Sequence, residues 1–132
     1  MYFTKNTARS TKGHAMQHYD SKDSKFGRNL RKGAPDDFAK FVEWDQQVFA
    51  EEGHEVSKKT RELIAIGVAA TTQCPHCIEI HSRAAAKAGA TEAELSEAVM
   101  VAMAMRAGGA MTHGWMAMKY FQDEHDTDQN KE

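Results

Sequence analysis

The stretch Ser57–Thr91, SKKTRELIAIGVAATTQCPHCIEIHSRAAAKAGAT, reads as two helices around one break and carries both cysteines of the chain. Ser57 is a good N-cap, because its hydroxyl can accept from an unpaired backbone N–H of the first turn. In the run that follows, to about Thr72, Leu63, Ile66, Gly67 and Ala70 fall on one helical face. Ala65 and Ala69 are small enough for neighbours to approach closely. Cys74 and Pro75 interrupt the pattern. Proline has no N–H to lose and suits a first helical turn. A helix is therefore predicted from Pro75 to Ala88, closed by Gly89.

Upstream, Ala34-Pro35 opens another helix, in which Phe38, Phe41, Val42, Trp44, Val48 and Phe49 form an aromatic stripe before Gly53. A stripe at this spacing is expected to be core. Downstream, Thr91-Glu92-Ala93-Glu94 has the form of a capping box. The helix it starts (Leu95, Val99, Met100, Met103) is expected to break at Gly108-Gly109, with a last helix from about Ala110 to Phe121. No segment alternates as a strand does. The fold class expected is all-α, a compact domain of five or six helices over residues 34–122. A basic arm (1–33) precedes it, and an acidic tail (123–132), expected to fray, follows. Six of the eight methionines, Met100, Met103, Met105, Met111, Met116 and Met118, enrich the later helices. Met suits adaptable interfaces, so a homo-oligomer is expected.

The composition, 41% hydrophobic and 27% charged, is that of a globular domain. No apolar run reaches the roughly 18 residues of a membrane span. The basic N-terminus has no apolar core of a signal peptide. No membrane association and a cytoplasmic location are the expectations. Residues 1–33 hold eight of the 17 basic side chains (Lys5, Arg9, Lys12, Lys22, Lys25, Arg28, Arg31 and Lys32) and two of the 19 acidic ones, Asp20 and Asp23. With no basic helix or aromatic platform beside it, the arm reads as a solvated segment or one that docks on an acidic surface of its own oligomer, not as a nucleic-acid contact.

Two cysteines three residues apart cannot staple distant parts of a fold. Such a pair is redox-active or half of a metal site. With Cys74 at the N-cap and Cys77 in the first turn, unpaired backbone N–H groups and the helix dipole favour thiolate over thiol. At about 100° per residue, Cys74, Cys77 and His81 share a sector of roughly 60°, whereas His76 points largely elsewhere. His81 follows Cys77 by about 6 Å along the axis, within reach for proton transfer directly or through a water. Glu62 lies on the edge of the buried stripe with Ile66, Ala69 and Gln73. If the two helices fold back on one another, it comes beside the start of the second. A carboxylate there could relay protons near neutrality; an exposed Glu62 paired with Lys58 or Arg61 is the plainer reading.

Glu62, eleven intervening residues, Cys74-x-x-Cys77-x-x-x-His81 and His76 between the cysteines together resemble the AhpD-like alkylhydroperoxidase branch of the carboxymuconolactone decarboxylase superfamily. Arg61-Glu-Leu-Ile-Ala-Ile-Gly-Val-Ala-Ala and Ala88-Gly-Ala-Thr are similar to it as well, and the resemblance spans about residues 35–120. It implies an all-helical trimer or hexamer and a thiol-dependent peroxidase. Cys77 would attack a hydroperoxide, Cys74 would resolve the sulfenic acid to a disulfide, Glu62 and His81 would pass protons, and His76 would assist. A thiol or dithiol would be the electron donor, and no cofactor or metal is implied beyond the Cys74–Cys77 disulfide.

Three other readings stay open: a disulfide oxidoreductase that is not a peroxidase, a redox-sensing oligomer, and a zinc protein using Cys74, Cys77, His81 and either His76 or Glu62. Against zinc, no second Cys pair or His pair has the spacing of a structural site. His113 is expected to be a core or interface histidine bonded to backbone, although it could line the site. His14, His18, His54 and His125 receive no role.

Overall fold

A computed structural model describes residues 20–129. Most of the basic arm, with His14 and His18, and the last three residues lie outside them. A 3-10 segment, Ser21–Phe26, is capped by Asp20, whose carboxylate accepts from Lys22 N–H at 2.9 Å. It runs into α1 (Gly27–Gly33), followed by α2 (Pro35–Val48), α3 (Lys58–Thr72), α4 (Pro75–Lys87) and α5 (Glu92–Gln129). Among the described residues there is no strand, and no helix is long and apolar enough to cross a membrane. The chain is all-α.

The helix starts follow local chemistry. Pro35 and Pro75 occupy first turns. Ser57 Oγ accepts from Thr60 N–H at 3.2 Å. At α5, Thr91 Oγ1 accepts from Glu94 N–H at 3.2 Å, and the Glu94 carboxylate accepts from Thr91 N–H at 2.8 Å, a complete capping box. The α4 end turns at Gly89, whose φ of 81° is one that glycine adopts without penalty.

α3 is the hub. It packs against α4 on one side and against α5 on another, while α1 and α2 pack on each other. The buried apolar residues are small or few: Ile66, Ala69 and Ala85. On α3 the face towards α4 carries Glu62, Ile66 and Ala69; Ala70, expected among the buried positions, is exposed.

Three expectations fail here. The Gly108-Gly109 pair does not break the helix, and α5 runs unbroken for 38 residues, about 57 Å. Each glycine costs about 1 kcal/mol in a helix, but neither precedes a proline, and the flanking Ala and Met residues carry the helix through. The acidic segment beyond Tyr120, expected as a frayed tail, continues as helical backbone to Gln129. The aromatic stripe of α2 is not core within this chain: Phe38, Val42, Val48 and Phe49 are partly shielded, whereas Phe41 and Trp44 are 58% and 61% exposed. Periodicity puts these residues on one face but does not say what packs on it.

Lys59 bonds Glu94 at 2.6 Å and ties α3 to the first turn of α5. The Lys59 ammonium, followed by the Thr91 backbone N–H, holds the Glu94 carboxyl below its usual value of 4.5. A carboxyl depressed in the folded state adds stability above its unfolded pKa and loses it as pH falls through the folded one. Glu94→Gln is therefore expected to lower Tm at pH 7 by a few degrees at most, because the pair is partly solvated. The gap from wild type should close as pH falls below about 4.5. Thermal melts at pH 7 and pH 3.5 check this, and a gap that persists in acid would assign the loss to the cap geometry alone.

Candidate active site

α3 ends at Gln73, a non-glycine residue in the left-handed conformation (φ 58°, ψ 44°). The N–H groups of Gln73 and Cys74 both return to the Ala69 carbonyl. This tight reversal folds α4 back on α3 and sets the N-terminus of α4 beside the C-terminal half of α3. Cys74 is the N-cap of α4, its sulfur accepting from Cys77 N–H at 3.3 Å. Cys74 and Cys77 are joined as a disulfide with their Cα atoms 5.4 Å apart, and both are partly shielded.

One turn further, His81 Nδ1 lies 2.7 Å from Glu62 Oε2. This bond spans α3 and α4 and gives a polar partner to Glu62, which is 2% exposed. A buried carboxylate without a partner would be costly. Paired, it fixes the imidazole, and with Nδ1 engaged, Nε2 is the nitrogen left for proton transfer. The plainer reading of Glu62 as a surface residue is thereby excluded. Lys58 pairs instead with Glu51 at 3.0 Å, and the Arg61 guanidinium turns away to the carbonyls of Val48 and Ala50.

His76 is exposed. His113 is not core; it is exposed on α5 and, as expected, bonds backbone, at the Gly109 carbonyl one turn back at 2.9 Å. His54 bonds the Gln47 carbonyl at 2.9 Å and helps to cap α2. Among the described residues no three Cys, His, Asp or Glu side chains are grouped so as to hold a metal ion.

A residue outside the motif also reaches the site. The Phe49 ring lies on His81, centroids 4.7 Å apart and planes inclined at 37°. Sequence reading put Phe49 in a core stripe and missed this contact. Its position after the last turn of α2 was the available signal, since a loop residue departs from the helical stripe.

The family model for the carboxymuconolactone decarboxylase family matches residues 35–120, from the start of α2 into the distal part of α5. The chain belongs to this family. A family protein from Legionella pneumophila has a crystal structure with a TM-score of 0.59 to this chain and 32% identity, covering 78% of this chain and 91% of that one. A crystal structure from Methanobacterium thermoautotrophicum gives a TM-score of 0.58 at 28% identity, covering 64% and 93%. In Paracoccus denitrificans, the protein designated uncharacterized protein 4 in cox locus is 44% identical over 92 residues, which are 70% of this chain and 80% of that protein. The family includes both decarboxylases and alkylhydroperoxidases, so membership fixes the scaffold and leaves the reaction to the residues at the α3–α4 junction.

Proposed function

We propose that the chain is a cytoplasmic thiol-dependent peroxidase of the AhpD-like branch, acting through a Cys74–Cys77 dithiol–disulfide cycle. The observation that carries this is the buried Glu62–His81 pair one helical turn beyond two cysteines joined at a helix N-terminus. That arrangement joins a redox couple to a proton relay, which disulfide exchange alone does not need.

In the reduced protein the α4 N-terminus favours Cys77 as thiolate. Its sulfur attacks the distal oxygen of a hydroperoxide; an S–O bond forms, the O–O bond breaks, and the alkoxide leaves with a proton from protonated His81. The alcohol departs and Cys77 is a sulfenic acid. Cys74 passes its proton to His81 and attacks the Cys77 sulfur. The disulfide forms as hydroxide leaves with that proton as water. Glu62 holds the imidazole at Nδ1. His76, between the two sulfurs in sequence, assists from the solvent side. An external thiol or dithiol supplies two electrons and two protons to reopen the disulfide.

On this reading the family domain, residues 34–122, works within a homo-oligomer of the full chain, a trimer or a hexamer by the family resemblance. From Ala107 to Asp126, α5 is exposed except for partial shielding at Gly108, Gly109 and Gly114. Met111, Trp115, Met116, Met118, Tyr120 and Phe121 are each more than half exposed on it. A helix free in water is marginal on its own. A second copy covers it, and its α1–α2 unit fits in two respects: α2 presents Phe41 and Trp44, and α1 carries Arg28, Arg31 and Lys32, opposite in sign to Asp123, Glu124 and Asp126.

The test is turnover of t-butyl hydroperoxide by the purified full chain with dihydrolipoamide as donor, together with a thiol count. Continuous consumption of peroxide is expected. Thiols that cycle without consuming peroxide would make the protein a disulfide exchanger or sensor. Thiols that resist oxidation until a chelator releases zinc would replace the peroxidase reading with the metal one.

A further inference from the structure

Arg61 spends its guanidinium on the chain's own backbone. One terminal nitrogen donates to the Val48 carbonyl and the other to the Ala50 carbonyl, so the two bonds straddle Phe49. Both acceptors lie where α2 ends and its last carbonyls lack helical partners. Arg61 Nε is buried without a hydrogen-bond partner. His54 already caps the neighbouring Gln47 carbonyl, so the end of α2 does not depend on Arg61 alone. The side chain held between the two clamped carbonyls is the one that lies on the imidazole of His81. Arg61 also directly precedes Glu62, which bonds the same ring at Nδ1. One turn of α3 therefore controls His81 twice, through the carboxylate at Nδ1 and through the phenyl ring on its face.

We propose that Arg61 and Phe49 are positioning residues of the site: Arg61 clamps the backbone on either side of Phe49, and the ring so held fixes the His81 imidazole so that Nε2 faces the cysteine pair. The proposal rests on the peroxidase reading for its effect on turnover, but its structural content does not. A planar fork is required, because a lysine at 61 reaches only one of the two carbonyls at a time. A flat ring is required at 49, because an aliphatic side chain does not constrain the rotation of an imidazole in the same way.

The experiment compares wild type, Arg61→Lys, Phe49→Leu, Phe49→Tyr and the double variant Arg61→Lys/Phe49→Leu as full chains. The imidazole 15N and 1H resonances of His81 are followed by NMR, and peroxide kinetics are measured beside them. Phe49→Leu is expected to remove the ring-current shift at His81, to mix its tautomers, and to lower kcat about tenfold with KM unchanged. Phe49→Tyr should restore all three. Arg61→Lys should reproduce the Phe49→Leu pattern, and the double variant should lose no more than either single one, as expected when one residue acts through the other. Unchanged His81 tautomer populations in Phe49→Leu would overturn the proposal, and so would additive losses in the double variant. If wild type consumes no peroxide, the peroxidase reading fails while the NMR arm still decides the positioning. If Phe49→Leu does not fold, Arg61→Lys against Phe49→Tyr decides it: the first should disturb His81 and the second should not.

Discussion

Cys77→Ser is expected to abolish peroxide consumption, Cys74→Ser to leave one turnover, and Glu62→Gln to slow every turnover by about 10²-fold or more. The three losses differ because the groups act at different moments. Without Cys77 no sulfur is placed to attack, and a serine hydroxyl does not replace a thiolate towards an O–O bond. Without Cys74 the first step still runs, so with no external thiol present the protein should consume one equivalent of peroxide and stop at a Cys77 sulfenic acid, which can be trapped. Glu62→Gln keeps the shape and an acceptor for His81 Nδ1–H, so the 2.7 Å contact can persist. What it removes is the carboxylate of the proton relay, and general acid–base assistance is commonly worth 10²–10⁴-fold. The Gln variant is the informative one, because truncating Glu62 would break a buried pair at a cost of about 3–5 kcal/mol and confuse catalysis with stability. Single-turnover traces with and without dihydrolipoamide separate the cases. Full activity in Cys77→Ser, or a rate in Glu62→Gln within twofold of wild type, would remove the relay from the mechanism.

How far the sequence reaches depends on the range of the interaction. Ser57, the Thr91–Glu94 box and the two helix-opening prolines satisfy backbone groups within one turn, so their residue types reveal them directly. The Cys74–Cys77–His81 spacing is local in the same sense. Glu62 meets His81 across 19 residues, and counting reaches that contact only because a single tight turn at Gln73–Cys74 separates the two helices. Arg61 and Phe49 were out of reach for the opposite reason. Their contacts depend on the path of the connection between α2 and α3, which no period describes. Gly108-Gly109 misled because propensity is summed over a segment, and two glycines among good helix formers do not outweigh the rest. The stripe of α2 misled in another way: helical period gives these residues one face, and the exposure of Phe41 and Trp44 leaves that face with a need for cover that the chain itself does not meet.

That need leads to the remaining large effect. The double substitution Met111→Asp/Trp115→Asp is expected to prevent assembly and, with it, cooperative folding. Burying a large apolar side chain stabilises by about 1.5–3 kcal/mol. The six large apolar side chains on the distal part of α5 are therefore worth on the order of 10 kcal/mol when covered, comparable with the whole stability of a small domain. The buried apolar set within one chain, Ile66, Ala69 and Ala85, does not supply as much. A second apolar surface adds to the demand: a groove of about 500 Å³ between α3 and α5, lined by Leu63, Ile64, Val68, Val101 and Met105, on the side of α3 opposite Glu62. Wild type should sediment as a multiple of 14.7 kDa, with a Tm that rises with protein concentration, as for any fold stabilised by its partner. The double variant should lose the cooperative melt, and with it the Glu62–His81 junction. The partner surface has its own test. Arg31→Glu should weaken assembly in a salt-dependent manner, and adding Glu124→Lys should recover part of the loss if α1 of one copy meets distal α5 of another. A monomeric wild type with an unchanged melt across a hundredfold dilution would sink the assembly argument. Assembly unaffected by Arg31→Glu would keep the oligomer but assign the cover of α5 to another face, with the groove beside α3 as the remaining apolar surface of matching size.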